Sequence, residues 1–199
     1  MPISDCAVKD PRMRRTRRLL QGALRTLLES RSFDELSVQD IADAATVNRA
    51  TFYDHYTDKH ALLEAMIAAE FHQLLEDRQV RFDGTCASAA GPVIHAACDF
   101  LSVCSGHPGP DQKNRSIEPL VGAAVVAAIR RVLLSGLAAR KPARGAAPEL
   151  IAGAAAGAIY GAVKEWAGRR NPPPAEKFVG TVLKLVEPML AAAAPRERK

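Results

Sequence analysis

A chain of 199 residues, 48% of them hydrophobic, has enough apolar surface to bury a core, which sets an intrinsically disordered protein aside. Its net charge of +5 is unevenly placed: Lys9, Arg12, Arg14, Arg15, Arg17 and Arg18 crowd the start, whereas Glu64, Glu70, Glu76, Asp77, Asp83 and Asp99 make the middle acidic. A basic arm points to a polyanionic partner at that end, with a merely solvated arm as the alternative.

The charge-free runs 120–129 and 150–163 are shorter than the roughly 20 residues a membrane-spanning helix needs. The N-terminus has no apolar signal segment, so a cytoplasmic protein is expected. Cys6, Cys86, Cys98 and Cys104 lack CxxC or zinc-finger spacing, which suggests free thiols and neither a metal nor another cofactor.

In chain order, the first periodic segment predicts a helix over about 14–31. Leu19, Ala23 and Leu27 repeat at four-residue spacing, as do Leu20, Leu24 and Leu28. Ser37 begins S-V-Q-D, which resembles a capping box with Asp40 in the third position, and opens a short helix over 38–45. After the break at Thr46 and Val47, Asn48 is a candidate N-cap for a second short helix over 49–55. A longer helix, capped by Thr57, is expected from 58 to about 82, because no proline or glycine interrupts it. Further helices are expected over 92–105, 119–140, 149–170 and 175–194, with Pro188 expected to kink or end the last one. No strand-period alternation stands out, so the fold class is all-α. A three-helix unit is followed by a larger helical region, and the expected divisions are a flexible basic arm at 1–13, a three-helix domain at 14–60 and a larger helical domain at 61–199.

Two short helices joined by a tight turn, behind a longer supporting helix, make a helix-turn-helix. In the stretch TVNRATFYDHYTDK, Phe52 and Tyr56 share one face and form a small core with Leu36, Ile41 and Val47. Arg49 and Ala50 then occupy the first turn of the recognition helix. Arginine reads guanine bidentately and an alanine methyl meets a thymine methyl. Thr51, Tyr53, His55 and Lys59 suit phosphate contacts, which set register. Arg14, Arg15, Ser37 and Asn48 complete the candidate DNA-binding set.

The run DIADAATVNRATFYDHYTDKHALLEAM resembles the DNA-binding segment of TetR/AcrR-family transcriptional regulators. It supplies Ile41-Ala42, Thr51, Phe52, Tyr53, His55, Tyr56, Lys59 and Leu62-Leu63 in the family's order, within a match over about 14–70. Two positions depart from the pattern. Thr46 stands where the turn usually has glycine, and a β-branched residue disfavours positive φ. Ala50 also stands where glycine is common, so the operator sequence stays open.

Gly153, Gly157 and Gly161 form a four-residue stripe on one expected helix. Each glycine costs a helix about 1 kcal/mol relative to alanine, so the stripe calls for close helix approach, either at a subunit interface or within the chain. Phe178, Val182, Leu185 and Met189 form an apolar stripe on the last helix. The resemblance implies that the last two long helices of each subunit pair as a four-helix dimer interface. The homodimer would then read a pseudo-palindromic double-stranded operator.

The family usually keeps an effector pocket between these regions. Candidate groups for a small-molecule effector are His95, Cys98, Phe100 and Tyr160, with His107 and Trp166 beside them. Each also fits an ordinary core or rim position. The resemblance thus implies a DNA-binding domain at 14–60, an effector-binding and dimerisation domain at 61–199, and as function a repressor released by a small molecule. The rivals are an α-helical enzyme, for which HExxH, GxSxG and P-loop motifs are all absent, and an adaptor with a relic helix-turn-helix.

Overall fold

The computed structural model describes residues 10–84, 86–105, 117–138 and 146–191. Among these residues there are eight α-helices and no strand. They are α1 (Pro11–Ser30), α2 (Val38–Ala44), α3 (Arg49–His55), α4 (Lys59–Asp77), α5 (Gly91–Ser105), α6 (Glu118–Ala138), α7 (Pro148–Ala167) and α8 (Ala175–Ala191), with one 3-10 turn at Ala87–Ala90. The all-α expectation is met. The chain divides into two compact units, residues 1–70 with 109–124 and residues 71–108 with 125–199. The first break lies within α4, whereas the sequence reading divides the chain at 60/61.

In the first unit, α1, α2 and α3 pack on one another. Leu20 and Leu24 of α1, Ile41 and Ala42 of α2, and Phe52 of α3 are buried, as are Phe33, Leu36 and Tyr56 from the connecting segments. Burying a ring such as Phe52 contributes about 2–3 kcal/mol, which holds a seven-residue helix that would not form alone in water. Leu19, expected on the apolar side of α1, is instead 45% exposed.

Local chemistry sets the helix ends. Asp10 caps α1 by accepting from the Arg12 N–H at 2.8 Å, with Pro11 in the first turn. Ser37 and Asp40 form the expected capping box on α2, and Asn48 caps α3 by accepting from the Ala50 N–H at 2.9 Å. Asp58, rather than Thr57, caps α4: its Oδ1 accepts from the His60 and Ala61 N–H groups, both at 2.8 Å. α4 stops at Asp77, short of the expected 82. There the Gln79 N–H bonds the Glu76 carbonyl at 2.9 Å and the Val80 N–H bonds the Leu75 carbonyl at 2.8 Å, with Gln79 at φ 53. This is a Schellman ending built without glycine, so no breaker residue marks it in the sequence.

In the second unit, α5, α7 and α8 pack mutually, and the 3-10 turn lies on α5 and α8. Ala152, Ala155 and Ala156 of α7 are fully buried, and such small side chains allow neighbouring helices to approach closely. Trp166 stacks on Phe178 with ring centroids 5.4 Å apart, and its indole N–H donates to the Pro173 carbonyl at 2.8 Å, which closes the α7–α8 turn. α8 runs through Pro188 to Ala191, so of the two outcomes expected of the proline, a kink or an end, it does not end the helix. Pro188 and Lys184, four residues earlier, are both exposed, so the missing hydrogen bond lies on the solvent side of the helix.

α6 is longer than its charge-free run because Arg130 and Arg131 lie within it. By length and composition alone it could cross a membrane, with a mean hydropathy of 1.8 over its most apolar window. The paired arginines and partial burial suit a helix packed in a protein.

Candidate nucleic-acid interface

The break between α2 and α3 is a Schellman turn in which Thr46 occupies the left-handed position at φ 56. The Thr46 N–H bonds the Asp43 carbonyl and the Val47 N–H bonds the Ala42 carbonyl, both at 3.0 Å. The turn keeps the geometry that glycine adopts freely, and the β-branched residue carries the strain.

That turn aims α3 so that Phe52 is inside while Arg49, Ala50 and Tyr53 are exposed, Tyr53 by 48%. Thr51 and His55 are half-buried on its flanks. The Arg49 guanidinium lies 5.7 Å from the centre of the Tyr53 ring and donates weakly to its hydroxyl at 3.4 Å. The pair therefore presents one cation and one hydroxyl from adjacent turns of the same face. Arg14 and Arg15 are exposed on the first turns of α1.

Other candidates are used within the chain. The Asn48 side-chain oxygen is committed to the α3 cap. The Ser37 N–H donates to Asp40 Oδ2 at 2.8 Å, and its hydroxyl also bonds that carboxylate. The Ser37 hydroxyl first, then the Arg31 guanidinium, hold the Asp40 carboxyl well below the usual carboxylate range. Lys59, expected to face phosphate, points inward: its ammonium donates to the carbonyls of Leu36 at 2.8 Å, Phe33 at 3.0 Å and Asp34 at 3.3 Å.

Three polar residues outside the candidate set also hold α2 and the end of α3 in place. Arg17 is buried and lies 5.4 Å over the Tyr56 ring, while Gln21 donates to the Tyr56 hydroxyl at 3.1 Å. Arg31 bridges from the end of α1 to Asp40 at 2.9 Å and to the Glu35 carbonyl at 2.9 Å. The sequence does carry a signal for the first two. Arg17 and Gln21 fall at i and i+4, interleaved with Leu20 and Leu24 on one stripe of α1.

In the second unit the effector candidates are dispersed in role. His95 Nδ1 lies 3.1 Å from Asp99 Oδ2, and Asp99 also pairs with Arg78. Cys98 is fully buried; that burial, then the Asp99 carboxylate, push its thiol up to about 12 and keep it protonated. Phe100 packs edge-on against Phe71, and Tyr160 is half-buried. His107 lies outside the described residues, as does the side chain of Cys104. No group of three potential metal ligands occurs among the described residues.

Of the dimer candidates, Gly157, Gly161, Leu185 and Met189 are exposed, Gly153 and Phe178 are half-buried, and Val182 is buried within its own chain. Among the described residues, a Cβ added at Gly157 or Gly161 would meet nothing within 4 Å, so those two glycines serve no close contact there.

Residues 19–66 match the family described as "Bacterial regulatory proteins, tetR family". The uncharacterized HTH-type transcriptional regulator YxbF of Bacillus subtilis (strain 168) is 38% identical over 68 residues, which is 34% of this chain and 18% of that protein. The HTH-type dhaKLM operon transcriptional activator DhaS of Lactococcus lactis subsp. lactis (strain IL1403) is 29% identical over 62 residues, covering 31% of this chain and 33% of DhaS. This chain therefore spans a third or less of either relative. The fold is shared more widely. The structure of the R. erythropolis repressor QsdR, from the TetR family, superposes with a TM-score of 0.57 at 15% identity over 92% of this chain and 97% of that one. Residues 19–66 therefore match the TetR-family DNA-binding segment, for which that family implies DNA binding, and the chain shares the fold of the QsdR structure.

Proposed function

We propose that the protein is a cytoplasmic homodimeric repressor that leaves a pseudo-palindromic operator when a small molecule binds its C-terminal region. The observation that carries the DNA-binding part is the paired exposure of Arg49 and Tyr53 on α3, opposite the buried Phe52. Arg49 and Ala50 would meet base edges, and Tyr53, Arg14 and Arg15 would meet phosphates. Dimerisation is supported by the outward glycines of α7 together with Leu150, Leu185 and Met189, which are exposed on α7 and α8. An effector that prefers one subunit arrangement would shift the spacing of the two recognition helices.

Activation is a second reading, favoured by the similarity to DhaS, which is described as an activator. An adaptor with a relic helix-turn-helix is disfavoured by the exposed Arg49–Tyr53 pair.

Selection of duplexes from a randomised library by the purified protein tests the proposal. Enrichment of an inverted repeat, weakened by Arg49→Ala or Tyr53→Ala in folded protein, is the expected result. No enrichment by the wild type would overturn it. A reporter placed behind the selected sequence then separates repression from activation.

A further inference from the structure

We propose that Lys59 is a positioning residue that buckles the two ends of the helix-turn-helix together, and that it does not bind DNA phosphate. The proposal rests on the DNA-binding reading above.

A cation in the first turn of a helix opposes the helix dipole, so Lys59 at the start of α4 calls for a compensating partner. It has three. Its ammonium has three N–H donors, and three backbone carbonyls, of Phe33, Asp34 and Leu36, receive them. The same ammonium lies 4.8 Å over the buried Phe33 ring, whose other contacts include the edge of His60 at 5.2 Å. The Glu35 carbonyl, left over in this turn, accepts from Arg31. Four consecutive carbonyls, 33 to 36, are thus each taken by the side-chain cation of Lys59 or Arg31.

The position of these bonds in the chain gives them their consequence. Leu36 immediately precedes Ser37, the cap of α2, and Lys59 follows the end of α3 by only a few residues. The Lys59–Leu36 bond therefore closes a segment that contains α2, the strained turn at Thr46 and α3. Reaching a phosphate would require the ammonium to leave all three carbonyls, two of these bonds being partly buried.

The experiment compares Lys59→Met, Lys59→Arg and, as a phosphate-facing reference, Arg15→Ala. Binding is measured against salt on the duplex selected by the wild type and on a scrambled duplex, at temperatures where circular dichroism shows each variant folded. Both Lys59 variants should lose at least about fivefold in affinity for the selected duplex. They should retain the wild-type affinity for the scrambled duplex and the wild-type salt slope, while Arg15→Ala lowers the slope by about 0.9. The proposal is overturned if Lys59→Met lowers the slope as Arg15→Ala does while Lys59→Arg binds normally, since that pattern is a phosphate contact. It is equally overturned if both variants bind as wild type and only melt earlier. Amide exchange gives a reading that needs no DNA: in Lys59→Met, exchange should accelerate across α2 and α3 together. Acceleration confined to the first turn of α4 would sink the buckle even if the wild type selected no duplex, a result that would count separately against the DNA-binding reading.

Discussion

Gln21 on α1 donates to the hydroxyl of Tyr56, the residue that ends α3, and Arg17 one turn earlier covers the same ring. The supporting helix therefore grips the recognition helix through polar contacts set in an apolar face. Tyr56→Phe keeps the ring and removes the acceptor, leaving the Gln21 amide without that partner. Chemical denaturation should show a loss of about 1 kcal/mol. Gln21→Ala should cost a similar amount, and the double variant less than the sum of the two. Strict additivity would show that the bond contributes nothing.

Thr46 holds a left-handed conformation at φ 56 with its neighbours fully hydrogen-bonded in a Schellman turn. Thr46→Gly removes a penalty of about 1–2 kcal/mol without disturbing those bonds. Thermal unfolding should rise by about 2–4 °C per kcal/mol for a chain of this size. A lower melting temperature would mean that the threonine side chain contributes more than its backbone costs.

Asp40 is charged below the usual range because Ser37 and Arg31 stabilise its carboxylate. A depressed folded-state value means its contribution is fully present above the unfolded value of about 3.9. The contribution is then lost as pH falls through the lower folded value. The stability gap between wild type and Asp40→Asn should therefore be constant from neutral pH down to about pH 5 and shrink only in stronger acid. A gap that closes at neutral pH would contradict the assignment.

Gly136 and Gly157 differ in the room they leave for a side chain. A Cβ at Gly136 on α6 would collide with the Phe82 carbonyl oxygen and ring, so Gly136→Ala should destabilise by about 1–3 kcal/mol. This outweighs the roughly 1 kcal/mol that alanine adds to a helix. The denaturant midpoint of Gly136→Ala against the wild type checks this, and an unchanged or higher midpoint would contradict it.

At Gly157 a Cβ meets open space, so the chain itself tolerates a larger side chain there. If subunits pair across this face, Gly157→Leu should shift the protein from dimer to monomer in sedimentation velocity while helicity is unchanged. A Gly157→Leu dimer as stable as the wild type would move the interface elsewhere.

Spacing and capping chemistry in the sequence carried the helices and the core of the helix-turn-helix. Leu20, Leu24, Ile41, Phe52 and Tyr56 repeat with a helical period. Ser37 and Asn48 start α2 and α3 through bonds to residues two or three away. Such signals are local, so a single chain suffices to read them. The end of α4 was not marked, because Gln79 adopts the left-handed ending that a glycine would have announced.

The site divides along the same line. Which residues of α3 face outward follows from a period of 3.6 and a buried Phe52, and the family pattern of TVNRATFYDHYTDK follows from residue order alone. Where a long side chain ends is decided by groups distant in sequence. Lys59 reads as a cation beside DNA until the fold brings three carbonyls from 23 to 26 residues earlier against its ammonium. Arg17 reads as part of a basic arm until the Tyr56 ring covers it. Periodicity assigns a residue to a face, but only packed neighbours determine whether its charge is spent inside the chain or left for a partner.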